Sequence, residues 1–131
     1  MVVVDSSAVV DYLLAHEGKA EWVEAQLDAA AWDLHAPHLI DIEVVGVLRR
    51  LTRQNELDAT VGPAAIQLLE RFRLVRYPHA PLLEGIWELR HNLSASDAAY
   101  AALAEILDAS LVTTDARLSR APGLRIEVIA P

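Results

Sequence analysis

The chain has 131 residues, 53% of them hydrophobic and none of them cysteine, a size and composition suited to one domain with a sizeable core. The lack of cysteine excludes a disulfide framework, a thiolate zinc site and a cysteine nucleophile, and it accords with a reducing compartment. A formal charge of −8, from 19 acidic against 11 basic residues, excludes a broad basic surface that holds nucleic acid by phosphate neutralisation alone.

In chain order, the β-branched run "VVV" at 2–4 reads as a first strand. Asp5 interrupts the apolar run and no basic segment precedes it, so the start does not read as a secretory signal. No apolar run elsewhere approaches the roughly 18 residues of a membrane-spanning helix. A cytoplasmic protein with no membrane segment is expected. Helical patterns follow at 7–15 and 19–31, a strand at 32–37, helices at 38–53 and 59–72, and a strand at 74–78. Beyond these come helices at 80–91 and 96–107, a strand at 110–114, a short helix after 115 and a last strand at 124–130. Five strands alternating with helices predict an α/β fold, a central parallel five-stranded sheet flanked by helices on both faces. Ligands of such sheets bind beyond the carboxyl ends of the strands, where Asp5 and Asp115 both fall.

Four carboxylates stand out, each with a plain structural explanation beside the chemical one. Asp5 can cap the helix of "SSAVVDYLL", a role open equally to Ser6 or Ser7, and Asp115 can cap "ARLSRA". Asp97 falls in the first turn of "LSASDAAYAALAE", where the helix dipole favours an acid and Ser94 or Ser96 serves as cap. Glu43 lies at the border of the apolar stripe of "APHLIDIEVVGVLRRL", one turn from Leu39 and from Val47, with Asp41 as its rival on the same helix. Together, two acids at strand ends, one at a helix start and one on a helix flank predict convergence beyond the sheet. Packed carboxylates repel one another unless a cation sits among them. An all-oxygen donor set favours Mg2+ or Mn2+ over zinc, and the histidines, with His35 and His38 placed in a loop around Pro37, are not expected to join it.

The stretches "VVVDSSAVVDYLL", "APHLIDIEVVGVLRRL", "LSASDAAYAALAEILDASLVTTDARLSRA" and "GLRIEVI", in this order and at these spacings, resemble the PIN-domain ribonucleases, specifically the VapC-type toxins of toxin–antitoxin pairs. The resemblance spans nearly the whole chain and implies a PIN-like three-layer sandwich forming a single domain over 1–131. It places the family's four acids on Asp5, Glu43, Asp97 and Asp115, and so selects Glu43 over Asp41. It also places a small polar residue on Ser6 and a hydroxyl near the metal on Thr113. Gly46 departs from the family, in which many members carry asparagine after "EV", and a glycine there weakens the helix locally.

The activity so implied is endonucleolytic hydrolysis of RNA with Mg2+ or Mn2+ as cofactor, leaving 5′-phosphate and 3′-hydroxyl ends. Asp5, Asp97 and Asp115 are expected as ligands, with Glu43 as a ligand or a water-orienting base. Arg90 and Arg117 are candidate phosphate contacts at the rim. The implied partners are a cognate VapB-type antitoxin, whose extended tail lies along the groove, and a second copy in a homodimer, with Trp22 and Trp32 as candidate anchors. The rival reading is a PIN module that binds RNA or a protein partner without cutting. A haloacid-dehalogenase-like phosphatase would need an acid where Ser7 stands, and a response-regulator receiver would need a late lysine, whereas the one lysine is Lys19.

Overall fold

The computed structural model describes every residue from Met1 to Pro131. Five strands, β1 (Val2–Val4), β2 (Leu34–Pro37), β3 (Leu74–Tyr77), β4 (Ser110–Val112) and β5 (Val128–Ile129), form one sheet in the order β3-β2-β1-β4-β5. Every pairing is parallel, with Val3 opposite both His35 and Leu111. The helices are α1 (Ser6–Leu13), α2 (Lys19–Ala29), α3 (Leu39–Arg53), α4 (Val61–Arg71), α5 (Leu83–Glu88), α6 (Ala95–Leu107) and α7 (Ala116–Ser119). The expected three-layer α/β architecture is present.

The three valines of β1 form the centre of the sheet and are buried on both faces, as a covered parallel sheet requires. From β1 the chain steps outward through α1 and α2 to β2 and through α3 and α4 to β3. It then crosses back through α5 and α6 to β4 on the other side of β1. Right-handed crossovers in opposite directions put α1–α4 on one face and α5–α6 on the other. The sheet therefore has a topological switch between β1 and β4, the place at the carboxyl ends of the strands where open α/β sheets form a ligand crevice.

A 26-residue core fills both interfaces. The α6 helix approaches closely because Ala98, Ala99, Ala101, Ala102 and Ala104 are buried along it. Gly85 of α5 lies so near that a β-carbon there would stand 3.0 Å from the Ala102 methyl. No helix is long and apolar enough to cross a membrane.

Several expected boundaries move. The strand at 32–37 begins at Leu34, because Ala31 and Trp32 adopt left-handed backbone with φ of 51° and 57° and turn the chain into β2. The helix expected at 80–91 is a 3-10 turn at Ala80–Leu82, with Pro81 in its first turn where no amide hydrogen is needed, followed by the six-residue α5. The last strand shrinks to two residues. His35 is not in a loop: it is buried in β2, where Nδ1 lies 2.7 Å from the Tyr77 hydroxyl and Nε2 lies 2.8 Å from Asp33 Oδ1.

Candidate active site

Asp5 is the residue after β1, and its side chain is 5% exposed. It caps α1, with Oδ1 accepting from the Ala8 amide at 3.0 Å, so the plain reading of this acid is realised. Two hydroxyls complete its surroundings: Ser7 Oγ donates to Oδ1 at 2.7 Å, and Thr113 Oγ1 donates to Oδ2. All three donors are neutral. Burial therefore dominates over these hydrogen bonds, and the carboxyl is pushed up from 3.8 to about 6, with the Asp115 charge adding to the rise.

Thr113 to Asp115 follow β4 across the switch. Fully buried Thr113 accepts the Asp115 amide at 2.9 Å while bonding Asp5, and thus ties the two acid-bearing segments together. Asp115 caps the short α7, accepting from the Arg117 amide at 2.8 Å and from its guanidinium at 3.0 Å. Partial burial opposes ionisation of Asp115, but the hydrogen bonds and charge of Arg117 prevail and hold its carboxyl below the usual range. Arg117, 86% exposed, also feels the charge of Asp97.

Asp97 lies in the first turn of α6, and of its two candidate caps it is Ser94 that serves, accepting from the Asp97 amide at 3.2 Å. One turn further on, the buried Tyr100 donates its hydroxyl to Glu43 Oε1 at 2.5 Å. Burial, then the hydrogen bond and charge of Glu43, raise the phenol well above its ordinary range. The Ser6 hydroxyl offsets part of that rise and the Asp5 charge adds to it. Glu43 is thereby aimed from α3 toward the α6 side of the crevice. Its rival Asp41 is engaged elsewhere, in a two-point ion pair with Arg76 of β3 at 2.7 and 2.9 Å.

The four acids thus surround one end of the sheet, linked through Thr113, Tyr100 and Arg117. Their oxygens are not drawn into a metal-gripping cluster, for no three acid or histidine side chains stand at that spacing. Asp5, Glu43 and Asp97 have no ion-pair partner, and Asp115 has Arg117. Arg90 is exposed, stacks 4.6 Å over the Trp87 ring and donates to the Trp87 carbonyl at 2.9 Å. Sequence reading had Ser7 only as an alternative cap beside Asp5, not as a donor to it, and passed over Tyr100. The latter carries a signal: it lies three residues after Asp97, on the same face of α6.

A second concavity lies at the opposite end of the sheet, an open groove of about 840 Å3 lined by Tyr12, Trp32, Phe72, Leu68, Arg71 and Arg73 among others. Three of its rings pack edge to face, with centroids 5.7 to 6.0 Å apart. Trp32 is therefore a groove wall, whereas Trp22 is half-buried against the core.

A five-stranded all-parallel sheet flanked by helices is a PIN-like fold, and residues 2–124 match the PIN domain family. The chain belongs to it and, within it, to the VapC ribonucleases. Ribonuclease VapC9 of Mycobacterium tuberculosis is 48% identical over 119 residues, covering 91% of this chain and 89% of that protein. Two solved structures share the fold. The M. tuberculosis toxin VapC20, described as cleaving the sarcin-ricin loop, superposes with a TM-score of 0.68 at 18% identity, covering 95% of this chain and 96% of that one. VapBC2 from Rickettsia felis, bound to a promoter DNA fragment, superposes with a TM-score of 0.71 at 15% identity, covering 99% and 98%.

Proposed function

We propose that this single domain is an endoribonuclease that hydrolyses RNA phosphodiester bonds with Mg2+ or Mn2+ held by Asp5, Glu43, Asp97 and Asp115. We further propose that it acts as the toxin of a toxin–antitoxin pair. The observation that carries the reading is Asp5: a buried carboxylate at the switch point, held by neutral donors alone and raised to about 6. Such a group is costly to ionise unless a cation comes to it. The donor chemistry fits a hard divalent ion, since every candidate ligand is a carboxylate oxygen and neither thiol nor imidazole stands among them.

A divalent ion bound there supplies Lewis-acid polarisation of the phosphodiester and a more acidic attacking water. The chain's own groups position and restrain. Thr113 and Ser7 fix the Asp5 oxygens, Tyr100 holds one oxygen of Glu43 and leaves the other free, and Arg117 neutralises Asp115 from the rim. Arg117 is exposed enough to swing from Asp115 to a phosphate at little cost, because a solvent-screened surface ion pair adds little stability. Arg90 is a second phosphate contact on this reading, and Ser6 helps to seat the phenol.

On the same reading the protein binds a VapB-type antitoxin and forms a homodimer. The VapBC2 structure supports the pairing, and the aromatic groove at the far end of the sheet offers apolar partner side chains a seat.

Purified protein incubated with total RNA is expected to cleave it with Mg2+ or Mn2+ and to stop in excess chelator. Asp5→Asn and Asp97→Asn are expected to lose at least about 100-fold, the scale of a removed group acting on the developing charge. Cleavage that persists in both variants would sink the assigned site. RNA binding without cleavage under any metal would leave the non-catalytic PIN module as the better reading.

A further inference from the structure

We infer that Asp11 and Thr114 are positioning residues for the proposed reaction, a brace between α1 and the 113–115 segment that sets Thr113 and Asp115 against Asp5. This inference rests on the four-acid reading above. Asp11 lies in the last turn of α1, 7% exposed, and its nearest side-chain partners come from two directions. Its Oδ2 accepts the Thr114 hydroxyl at 2.6 Å, while Oδ1 lies 2.6 Å from His16 Nδ1 and Lys19 Nζ stands 3.8 Å from Oδ2.

Burying a carboxylate on an apolar helix costs free energy that an alanine would not, so the arrangement calls for an explanation. An ion pair across the α1–α2 turn would require only His16 and Lys19. The Thr114 bond is shorter than the Lys19 contact and reaches 103 residues along the chain. Ser7 stands four residues before Asp11 on the same stripe of α1, and its Oγ accepts the Thr114 amide at 3.1 Å. Thr114 is thus held by both its backbone N–H and its side chain, from successive turns of one helix.

The two neighbours of Thr114 both belong to the site. Thr113 bonds Asp5 and receives the Asp115 amide, and Asp115 begins α7. One rigid helix therefore holds three consecutive residues beyond β4: Asp5 takes Thr113, Ser7 and Asp11 take Thr114, and Asp115 follows from both. With the Thr114 hydroxyl gone, Thr114 itself keeps only the Ser7 bond to its amide, and the segment loses the one tie to the second turn of α1 while Thr113 stays on Asp5. A shift of about 1 Å in a group far from the chemistry is enough to cost roughly 100-fold in rate.

The test uses the full chain with Thr114→Val, which keeps shape and removes the hydroxyl, together with Thr114→Ser, Asp11→Ala and Asp5→Asn. Mn2+ binding is measured by calorimetry without RNA, cleavage is measured as kcat and KM, and melting is followed in chelator. Thr114→Val is expected to weaken Mn2+ binding and lower kcat about 10-fold or more, the scale seen when a group that orients a metal ligand is removed. KM for RNA stays unchanged and Thr114→Ser restores both quantities. Asp11→Ala is expected to match it, and the double variant to lose no more than either single one. Should Asp11→Ala not fold, the isosteric Thr114→Val decides alone. Wild-type kcat and Mn2+ affinity in Thr114→Val, at whatever melting temperature, would overturn the inference while an inactive Asp5→Asn left the four-acid site standing. An active Asp5→Asn would bring down both.

Discussion

Asp5 titrates against the fold. Its carboxyl holds a proton more tightly in the folded chain, at about 6, than at the ordinary 3.8, chiefly because it is buried. Ionisation is therefore penalised by folding: the penalty is absent below pH 4, grows between pH 4 and 6 and is complete above. A shift of that size corresponds to about 3 kcal/mol. In chelator, Asp5→Asn is expected to gain stability relative to wild type as pH rises from 4.5 to 7.5, read by urea denaturation at each pH. A constant difference across that range would show that the buried carboxylate costs nothing to ionise. The position of Asp5 was legible in the sequence because an acid directly after three valines has no place in the strand. The choice of Glu43 over Asp41 was not legible from residues alone. Arg76, which engages Asp41, lies 35 positions away on another strand, and the family resemblance supplied the choice.

Elements were read well where one signal decided them and poorly where two competed. The α6 helix came out within a residue at its start because Ser94 caps it and an apolar alanine run follows. The stretch at 80–91 carried one helical periodicity throughout, yet it divides into a 3-10 turn at Ala80–Leu82 and the six-residue α5. β4 ends at Val112, short of the expected 114, because the hydroxyls of Thr113 and Thr114 turn to Asp5 and Asp11. In α3, Gly46 is exposed and a β-carbon there would meet nothing within 4 Å. Gly46→Ala is accordingly expected to stabilise the protein by about 0.5 to 1 kcal/mol, the helix-propensity difference between the two residues. Thermal or urea unfolding measures it, and a loss of stability would mean that the position serves a contact outside the single chain.

At the scale of the whole molecule, the alternation of strands and helices led to the right sheet, and the switch between β1 and β4 explains why acids 110 positions apart share one crevice. What no local pattern disclosed was the set of cross-chain bonds inside that crevice, such as Tyr100 to Glu43, since each depends on how two crossovers pack. The assembled charge yields a global prediction. Mg2+ added after chelation is expected to raise the melting temperature of the wild type, and to raise that of Asp97→Asn by less, because an ion that binds only the folded chain stabilises it by mass action. Equal rises would place the ion elsewhere.

The two margins of the sheet are unequal, and this governs how the molecule meets extended chains. β5 offers two residues, too few for a neighbour to zip onto, whereas β3 is a four-residue outer strand whose Val75 is half exposed. Strand addition, by a partner's tail or by a misfolded sibling, has only the β3 side to use. That side is flanked by exposed Arg73 at its entrance and by Pro78, which has no amide hydrogen to offer, at its exit. Charge and a missing donor thus stand sentry at the one border where the sheet has room to grow.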